Sequence, residues 1–235
     1  MDRITRKELK GDKFAREVGH TVEYVSEHRK QAIRYGIVGA AVLVAVLVVT
    51  GYRRQQHNAR QAALTAAIEI QQAPVGPPTS EFVKSFPTEQ ERNSAAAKAF
   101  SDLVAKYSGS DEAIIAEYYL GAMAAEQDQT QEAEKWLKAA AESSNANYAS
   151  LAKLTLADLY RWQGKAPQAE KLLRSLIAKP SEFVSKEQAT IALAELLAPA
   201  NPAEARKLLD PLSTTGRAAV GRAAMAVLSQ LPRDR

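Results

Sequence analysis

Three nine-residue blocks, repeated at one fixed spacing, constrain the fold of this chain more than any other feature. Residues 132–140 read EAEKWLKAA, residues 168–176 read QAEKLLRSL and residues 204–212 read EARKLLDPL, so each block starts 36 residues after the one before. The same spacing relates Leu120 to Leu156 upstream. A fixed period of a few tens of residues is typical of architectures in which each unit is one supersecondary element stacked on its neighbours. The pattern therefore predicts a stacked array.

Composition points to helices as the repeated element. Aromatic residues make up only 6% of the chain while alanine is frequent, which favours closely packed helices over a β core. The chain has no cysteine, and this excludes disulfides, thiolate metal sites and a cysteine nucleophile. We predict an all-α fold in which a single N-terminal transmembrane helix precedes an α-solenoid of helical hairpins.

The predicted transmembrane helix is the stretch 35–52, YGIVGAAVLVAVLVVTGY, which has 18 residues and no charge. Tyr35 and Tyr52 stand at its two ends, where aromatic side chains favour the membrane interface. At a helical rise of 1.5 Å per residue it would span roughly 27 Å, close to the hydrocarbon thickness of a bilayer. A buried soluble helix would normally show a polar face, and a cleaved signal peptide would need a shorter leader and an A-x-A site. An uncleaved signal anchor fits better.

The charge distribution predicts how this anchor is oriented. The leader, residues 1–34, carries nine Lys/Arg, whereas only Arg53, Arg54 and Arg60 follow the span closely. The positive-inside rule then predicts a cytoplasmic N-terminus in the cytoplasmic (inner) membrane and a periplasmic or extracytoplasmic C-terminal domain. Within the leader, Phe14, Val18, Val22 and Val25 form a stripe typical of a short amphipathic helix, which either lies on lipid or a membrane partner or simply leads into the span.

The rest of the chain is nearly neutral, with 22 basic and 21 acidic residues mixed along the predicted helices. This pattern is that of a solvated surface and argues against nucleic-acid binding. A proline-rich stretch, residues 73–90, interrupts the helical pattern, and we expect Phe82 and Phe86 to hold it against the first helices. The predicted divisions are a charged leader with a short amphipathic helix at 1–34, the anchor at 35–52, a first helix with the proline-rich loop at 53–90, repeats at 91–213 (units near 111–143, 147–178 and 185–212), and a capping helix with a tail at 214–235.

In the middle unit a leucine and a small residue (Leu156, Ala157), a turn glycine (Gly164) and an alanine followed four residues later by a leucine (Ala169, Leu173) follow one another in a fixed order, and in this the repeats resemble tetratricopeptide repeats. The middle unit matches the family's L-G-x-x-Y, turn-glycine and A-x-x-x-F/Y/L positions, and the first unit matches nearly as well; the third departs because Leu193 replaces the small residue and Pro199 and Pro202 shorten the turn. The period exceeds the family's usual one by two residues. The matching residues are Leu156, Ala157, Tyr160, Gly164, Ala169 and Leu173 in the middle unit, and Leu120, Gly121, Ala133, Leu137 and Ala140 in the first.

The layout also resembles that of the YfgM-type ancillary subunits of the bacterial SecYEG translocon. The shared features are a charged leader, one N-terminal anchor, an alanine-rich first helix and a short repeat array. This resemblance implies a periplasmic scaffold near the Sec channel that works with a membrane-anchored periplasmic chaperone of the prolyl-isomerase type, or that handles unfolded secreted polypeptides.

No catalytic or nucleotide-binding motif occurs in the sequence, and its three histidines (His20, His28 and His57) lack the partners of a metal site. We therefore predict no enzymatic activity, no cofactor and no metal, unless the proline-rich loop holds a site. Binding of proteins remains. By the family's register, ten residues of the first helices would line a concave face: Ile115, Tyr118, Tyr119, Ala122, Leu154, Thr155, Asp158, Arg161, Trp162 and Ile191.

Aromatic side chains beside an Arg and an Asp suit peptide recognition, but Tyr118 and Trp162 could instead pack between repeats or against the proline-rich loop. The Lys/Asn clamp for acidic tails is absent, because its positions hold Tyr118, Ala122 and Thr155. Trp136, on a second helix, is expected to pack between helices. The leading hypothesis is a membrane-anchored adaptor for protein partners. The alternative is an assembly protein of an envelope complex (export, pilus or division apparatus) that forms homo-oligomers.

Overall fold

A computed structural model describes residues 29–77 and 85–232 of the chain. Within these stretches the regular structure is helical apart from one isolated bridge between Val75 and Phe86, so the predicted all-α fold is confirmed. The leader stripe from Phe14 to Val25, and Phe82, lie outside the described residues. The helices are α1 (Arg29–Gln71), α2 (Glu89–Tyr107), α3 (Asp111–Glu126), α4 (Thr130–Ala141), α5 (Ala146–Trp162), α6 (Ala166–Ala178), α7 (Lys186–Leu197), α8 (Pro202–Ser213) and α9 (Ala218–Gln230).

The chain divides into two compact units, Met1–Asn58 and Ala59–Arg235. In the described part of the first unit, the apolar side chains of α1 are exposed, including Leu43 at 61% and Val48 at 65%. This exposure argues against a buried core helix. Among residues 29–77 and 85–232, the one helix long and apolar enough to cross a membrane lies within Ile33–Gln71. Its most apolar window has a mean hydropathy of 2.2, so length and composition both permit a membrane span.

The second unit begins with the last turns of α1, which pack against α2 and α3. Leu64 and Ala67 join a core cluster with Ala96 and Phe100, all four of them buried. The chain between α1 and α2 is closed at its base by hydrogen bonds from the Gly76 amide to the Phe86 carbonyl (2.9 Å) and from the Phe86 amide to the Pro74 carbonyl (3.0 Å). The backbone of half-buried Phe86 therefore holds the end of the loop against residues 74–76, directly after α1.

A partly buried ion pair fixes α1 to the start of α3. The Glu112 carboxylate is 2% exposed and accepts hydrogen bonds from Arg60 Nε and from the Gln61 amide, both at 2.9 Å. Burial alone raises the pKa of this carboxyl, but the bonds from its own backbone N–H, from Arg60 and from Gln61, with the charge of Arg60, lower it below its ordinary value. The pair therefore stabilises the fold at neutral pH, and this contribution is lost only as the pH falls through the lowered pKa.

From α3 onwards, the repeating blocks supply the contacts that join the helices of each hairpin. In each hairpin, an alanine of the second helix (α4, α6 or α8) lies where that helix crosses its neighbours. These alanines, Ala133, Ala169 and Ala205, are all fully buried. A leucine four residues later lies on the same helix face, and Leu137, Leu173 and Leu209 are between 0 and 3% exposed. Small side chains let helix axes approach closely, and the leucines fill the remaining groove at native packing density.

The turns inside the hairpins show where the third unit departs from the first two. In the first unit, the Gln129 backbone amide donates to the Ala124 carbonyl (2.9 Å), and Asp128 adopts a positive φ of 56°. In the second unit, 36 residues later, the Lys165 backbone amide donates to the Tyr160 carbonyl (2.8 Å), and Gly164 has a φ of 69°. Both are Schellman endings, and Asp and Gly tolerate the left-handed conformation they require. In the third unit the Asn201 backbone amide donates to the Leu197 carbonyl, four residues back instead of five, because the chain enters α8 directly through Pro202.

Between hairpins, the N-terminal caps and loop side chains tie each unit to the next. Ser110, Asn145 and Ser185 cap α3, α5 and α7 by accepting a bond from a backbone amide of the first turn. The Asn145 side-chain amide also donates to Asp111 of the preceding unit at 3.3 Å. The α8 helix continues through Pro211 to Ser213.

We predict that Gly121→Ala lowers the free energy of unfolding by about 1–3 kcal/mol, since overpacking outweighs the gain in helix propensity. A Cβ at Gly121 would lie 2.6 Å from Leu137 Cγ and 2.9 Å from the Leu137 backbone nitrogen, so α4 itself would have to move. Urea unfolding of the full chain, followed by helical circular dichroism, measures the change. Gly216→Ala is the control, because no atom lies within 4 Å of its Cβ position. Equal stability of the two variants would contradict the close approach of α3 and α4.

Candidate protein-binding face

Five of the ten predicted face residues line one groove between the first helices α3 and α5. The groove has a volume of about 630 Å³. Tyr118 and Ala122 come from α3, and Thr155, Asp158 and Trp162 come from α5. We call this the α3/α5 groove. Its walls are first helices of consecutive hairpins, so the stacking of the hairpins creates it.

Two more predicted residues, Arg161 and Ile191, line a second groove of about 710 Å³. Its remaining walls come from the end of α7, the start of α8 and the last helix, with Pro199, Pro202 and Val227 among them. The prolines that distinguish the third unit in the sequence therefore shape this groove as well as shortening the turn.

The other three predicted residues serve mainly in packing. Ile115 and Tyr119 are half-buried against the core cluster of α1, α2 and α3, and Leu154 is half-buried against the cluster centred on α4 to α7. Tyr118 does both, because it packs against that second cluster and also lines the α3/α5 groove. Trp162, by contrast, is 80% exposed and does not pack between repeats.

Five aromatic rings form a continuous ladder across the units, in the order Phe100, Tyr119, Tyr118, Tyr148, Phe183. Phe100 and Tyr119 stack at 5.1 Å between ring centroids, and each later pair meets edge to face at 5.5–5.7 Å. Such contacts stabilise by about 0.5–1.5 kcal/mol each beyond the area they bury. The ladder therefore stiffens the face from α2 to the loop before α7.

Sequence reasoning missed Tyr148 and Phe183, which carry the ladder into the second and third units. The signal was weak because these rings are separated from Tyr118 by 30 and 65 residues and so fall outside the 36-residue register. Burial raises the pKa of the Tyr148 hydroxyl, and the neighbouring Tyr119 and Tyr118 raise it further. Tyr148 is therefore a neutral, half-buried ring at any physiological pH.

At the C-terminal end of α5, an acid, a base and an indole lie side by side. Arg161 Nη2 is 3.5 Å from Asp158 Oδ1, and the Arg161 guanidinium lies over the Trp162 ring at 5.1 Å. Burial raises the pKa of the Asp158 carboxyl, and the charge and hydrogen bond of Arg161 only partly offset this rise. This edge of the α3/α5 groove therefore holds one guanidinium between a carboxylate and an aromatic face.

The second helices carry a groove of their own, about 830 Å³ in volume, over α3 between α2 and α4. Leu120 and Met123 form part of its floor, and Glu132 and Trp136 stand at its side. Trp136 is half-buried against the first core cluster, with Lys135 Nζ 4.5 Å from its ring centroid. Trp136 therefore packs between helices, as its place on a second helix indicated.

Residues 29–77 and 85–232 contain no group of three or more His, Cys, Asp or Glu side chains that could hold a metal ion. What the described face offers is apolar and aromatic area with a few charged groups at the rim. That combination suits recognition of protein segments, in which aromatic and arginine side chains contribute most.

We predict that the two aromatic residues of the α3/α5 groove respond differently to truncation. Tyr118→Ala should lower the free energy of unfolding by about 2 kcal/mol, because it removes two ring contacts and part of a core cluster. Trp162→Ala should change it by less than about 1 kcal/mol, because its ring is exposed. Denaturant unfolding of the two variants measures both values, and equal losses would contradict the separate roles assigned to them.

Comparison with known proteins supports this architecture independently. The model of the tetratricopeptide repeat-like domain matches residues 31–186, about two thirds of the chain. Among curated proteins and solved structures, none matches. The matched stretch contains the hairpins α3–α4 and α5–α6, whose helices form the α3/α5 groove. The chain therefore belongs to the tetratricopeptide repeat-like domain family.

Proposed function

We propose that this protein is a non-enzymatic, membrane-anchored scaffold whose repeat domain binds protein partners. The observation that carries the proposal is the α3/α5 groove, in which an 80% exposed tryptophan stands beside a rigid aromatic ladder. Repeat arrays of this fold typically act through such surfaces instead of through catalysis, since each unit contributes a strip of one extended face. The partner would lie along the first helices, with Trp162 and Tyr118 as its anchors.

The anchor in this proposal is the apolar part of α1. Its exposed valine and leucine side chains and its length support a membrane span, which we place in the cytoplasmic (inner) membrane. The excess of Lys/Arg before the span supports a cytoplasmic N-terminus and a periplasmic repeat domain. A partner would then be met at the outer face of this membrane.

The resemblance of the layout to that of the SecYEG ancillary subunits extends the proposal to a class of partners. A single anchor followed by a short array would hold the α3/α5 groove near the mouth of a translocation channel. There it could meet emerging polypeptides, the channel itself or a membrane-anchored periplasmic chaperone.

A single cysteine tests the location and the binding role together, because the natural chain has none. Trp162→Cys places the thiol in the α3/α5 groove, and Lys207→Cys on exposed α8 is the matched control. In intact cells with a permeabilised outer membrane, we expect a membrane-impermeant maleimide to label both variants. Labelling only after the inner membrane is broken would overturn the periplasmic orientation.

The same two variants then carry a short photo-crosslinker on the cysteine in native membranes. We expect position 162 to trap a discrete set of membrane or secreted proteins, and position 207 to trap far less of them. Identification of the adducts by mass spectrometry would name the partners. Equal and unspecific adducts from both positions would contradict the scaffold role of the α3/α5 groove.

Self-association within an envelope complex is the second candidate. One observation favours it: Met225 of α9 is 51% exposed on the last described helix, beside the second groove that Val227 and Leu231 line. The mass of the full chain in detergent, measured by light scattering, distinguishes the candidates. A scaffold for other proteins is expected to be a monomer, and a stable homo-oligomer would favour assembly.

A further inference from the structure

The α3/α5 groove is acidic in a domain whose overall charge is close to neutral. Its lining includes Glu126, Asp128 and Asp158 and no Lys or Arg, and Arg161 at its edge pairs with one of these three acids, Asp158. The rest of the lining is apolar or neutral, with Ala125 and Leu159 beside the aromatic anchors. Like charges gathered on one concave surface focus a field that attracts the opposite charge.

A second observation concerns Gln163, which lines the same groove directly after α5. Both polar atoms of its side-chain amide are buried, and neither has a hydrogen-bond partner. Buried polar groups are nearly always hydrogen-bonded, and a buried amide without a partner destabilises a folded protein. An amide that both donates and accepts is matched to the N–H and C=O groups of an extended main chain.

A third observation shows which charge the rim accommodates. The Arg161 guanidinium already lies between Asp158, at 3.5 Å, and the face of Trp162, at 5.1 Å. Carboxylate and indole together stabilise a cation more than either does alone. Because 80% of Trp162 is exposed, its ring has free area for a second cation from outside.

We propose that the α3/α5 groove binds an extended polypeptide segment bearing lysine or arginine. The cation of this segment would be held by Asp158, Glu126 and Asp128 and by the Trp162 ring. The Gln163 amide, once turned out of its buried position into the groove, would bond the main chain of the segment. This inference rests on the proposed scaffold function and adds the charge of the partner segment. A nucleic acid is disfavoured, because three carboxylates would repel its phosphates.

The test uses the full chain in nanodiscs of zwitterionic lipid and three labelled probe peptides of equal length. One alternates lysine with alanine, one replaces lysine by glutamate and one replaces it by serine. Fluorescence anisotropy, with empty nanodiscs as the blank, gives the affinity of each. We expect the lysine peptide to bind about tenfold more tightly than the serine peptide and the glutamate peptide not to bind, with the lysine affinity falling as salt is raised.

Variants then assign the effect to the α3/α5 groove. Asp158→Asn combined with Glu126→Gln and Asp128→Asn should remove the preference for lysine over serine, whereas Asp210→Asn on exposed α8 should leave it intact. Gln163→Ala should weaken the lysine and serine peptides by a similar factor of about three to ten, because it acts on the main chain. Circular dichroism of each variant checks that the fold is kept.

Three outcomes would overturn the inference. Equal binding of lysine and serine peptides would show a groove that takes polypeptide without regard to charge, which leaves the scaffold function standing. A lysine preference that survives the triple substitution would place the site elsewhere on the chain. No binding of any peptide would refute the inference, while specific crosslinks from position 162 would still decide the scaffold function separately.

Discussion

The apolar side of each helical hairpin in the described array is buried by the helices that pack on either side of it. Leu137 packs beneath Gly121 of its own hairpin, and the core cluster it belongs to continues through Leu156 and Leu173 to Leu193. No hairpin holds enough apolar area to fold alone, so the stability of each unit depends on its neighbours. The 36-residue period arises because each hairpin places the same buried residues against its neighbours.

This constraint also creates the surface that we propose for binding. Second helices supply the fully buried Ala133, Ala169 and Ala205, while first helices keep one side half-buried and available. The first helices of two successive hairpins line the α3/α5 groove, and the aromatic ladder reaches it through Tyr118. The side chains of this face are already ordered in the folded protein, so binding a partner would cost less conformational entropy.

Much of the fold follows from the sequence because the repeating positions are buried ones. The block spacing predicted the stacked array, the composition predicted its helices and the matching residues indicated tetratricopeptide repeats; the structure and the family match confirm the helical fold and the tetratricopeptide repeat-like domain. The pattern could not predict contacts outside the register: the ion pair joining Arg60 to Glu112 spans 52 residues, and Phe183 reaches the ladder from a loop. The buried amide of Gln163 was equally invisible, because only the packed structure shows that it has no partner.

For the ten predicted face residues, the sequence could give the register but not the degree of exposure. Tyr118 and Tyr119 are adjacent on α3, yet one lines the groove while the other stacks on Phe100. Which side chain packs and which stays open depends on the aromatic residues of the neighbouring units. Those residues, such as Tyr148, do not recur at the repeat spacing.

Native-state hydrogen exchange of the full chain tests the central claim, mutual support of stacked hairpins, most directly. The account predicts that backbone amides of α5 and α6, which have a hairpin on each side, exchange most slowly. Protection should fall stepwise through α7 and α8 to α9 at the end of the described array. Slowest exchange in α9, or a middle hairpin that opens more readily than the last one, would contradict the account.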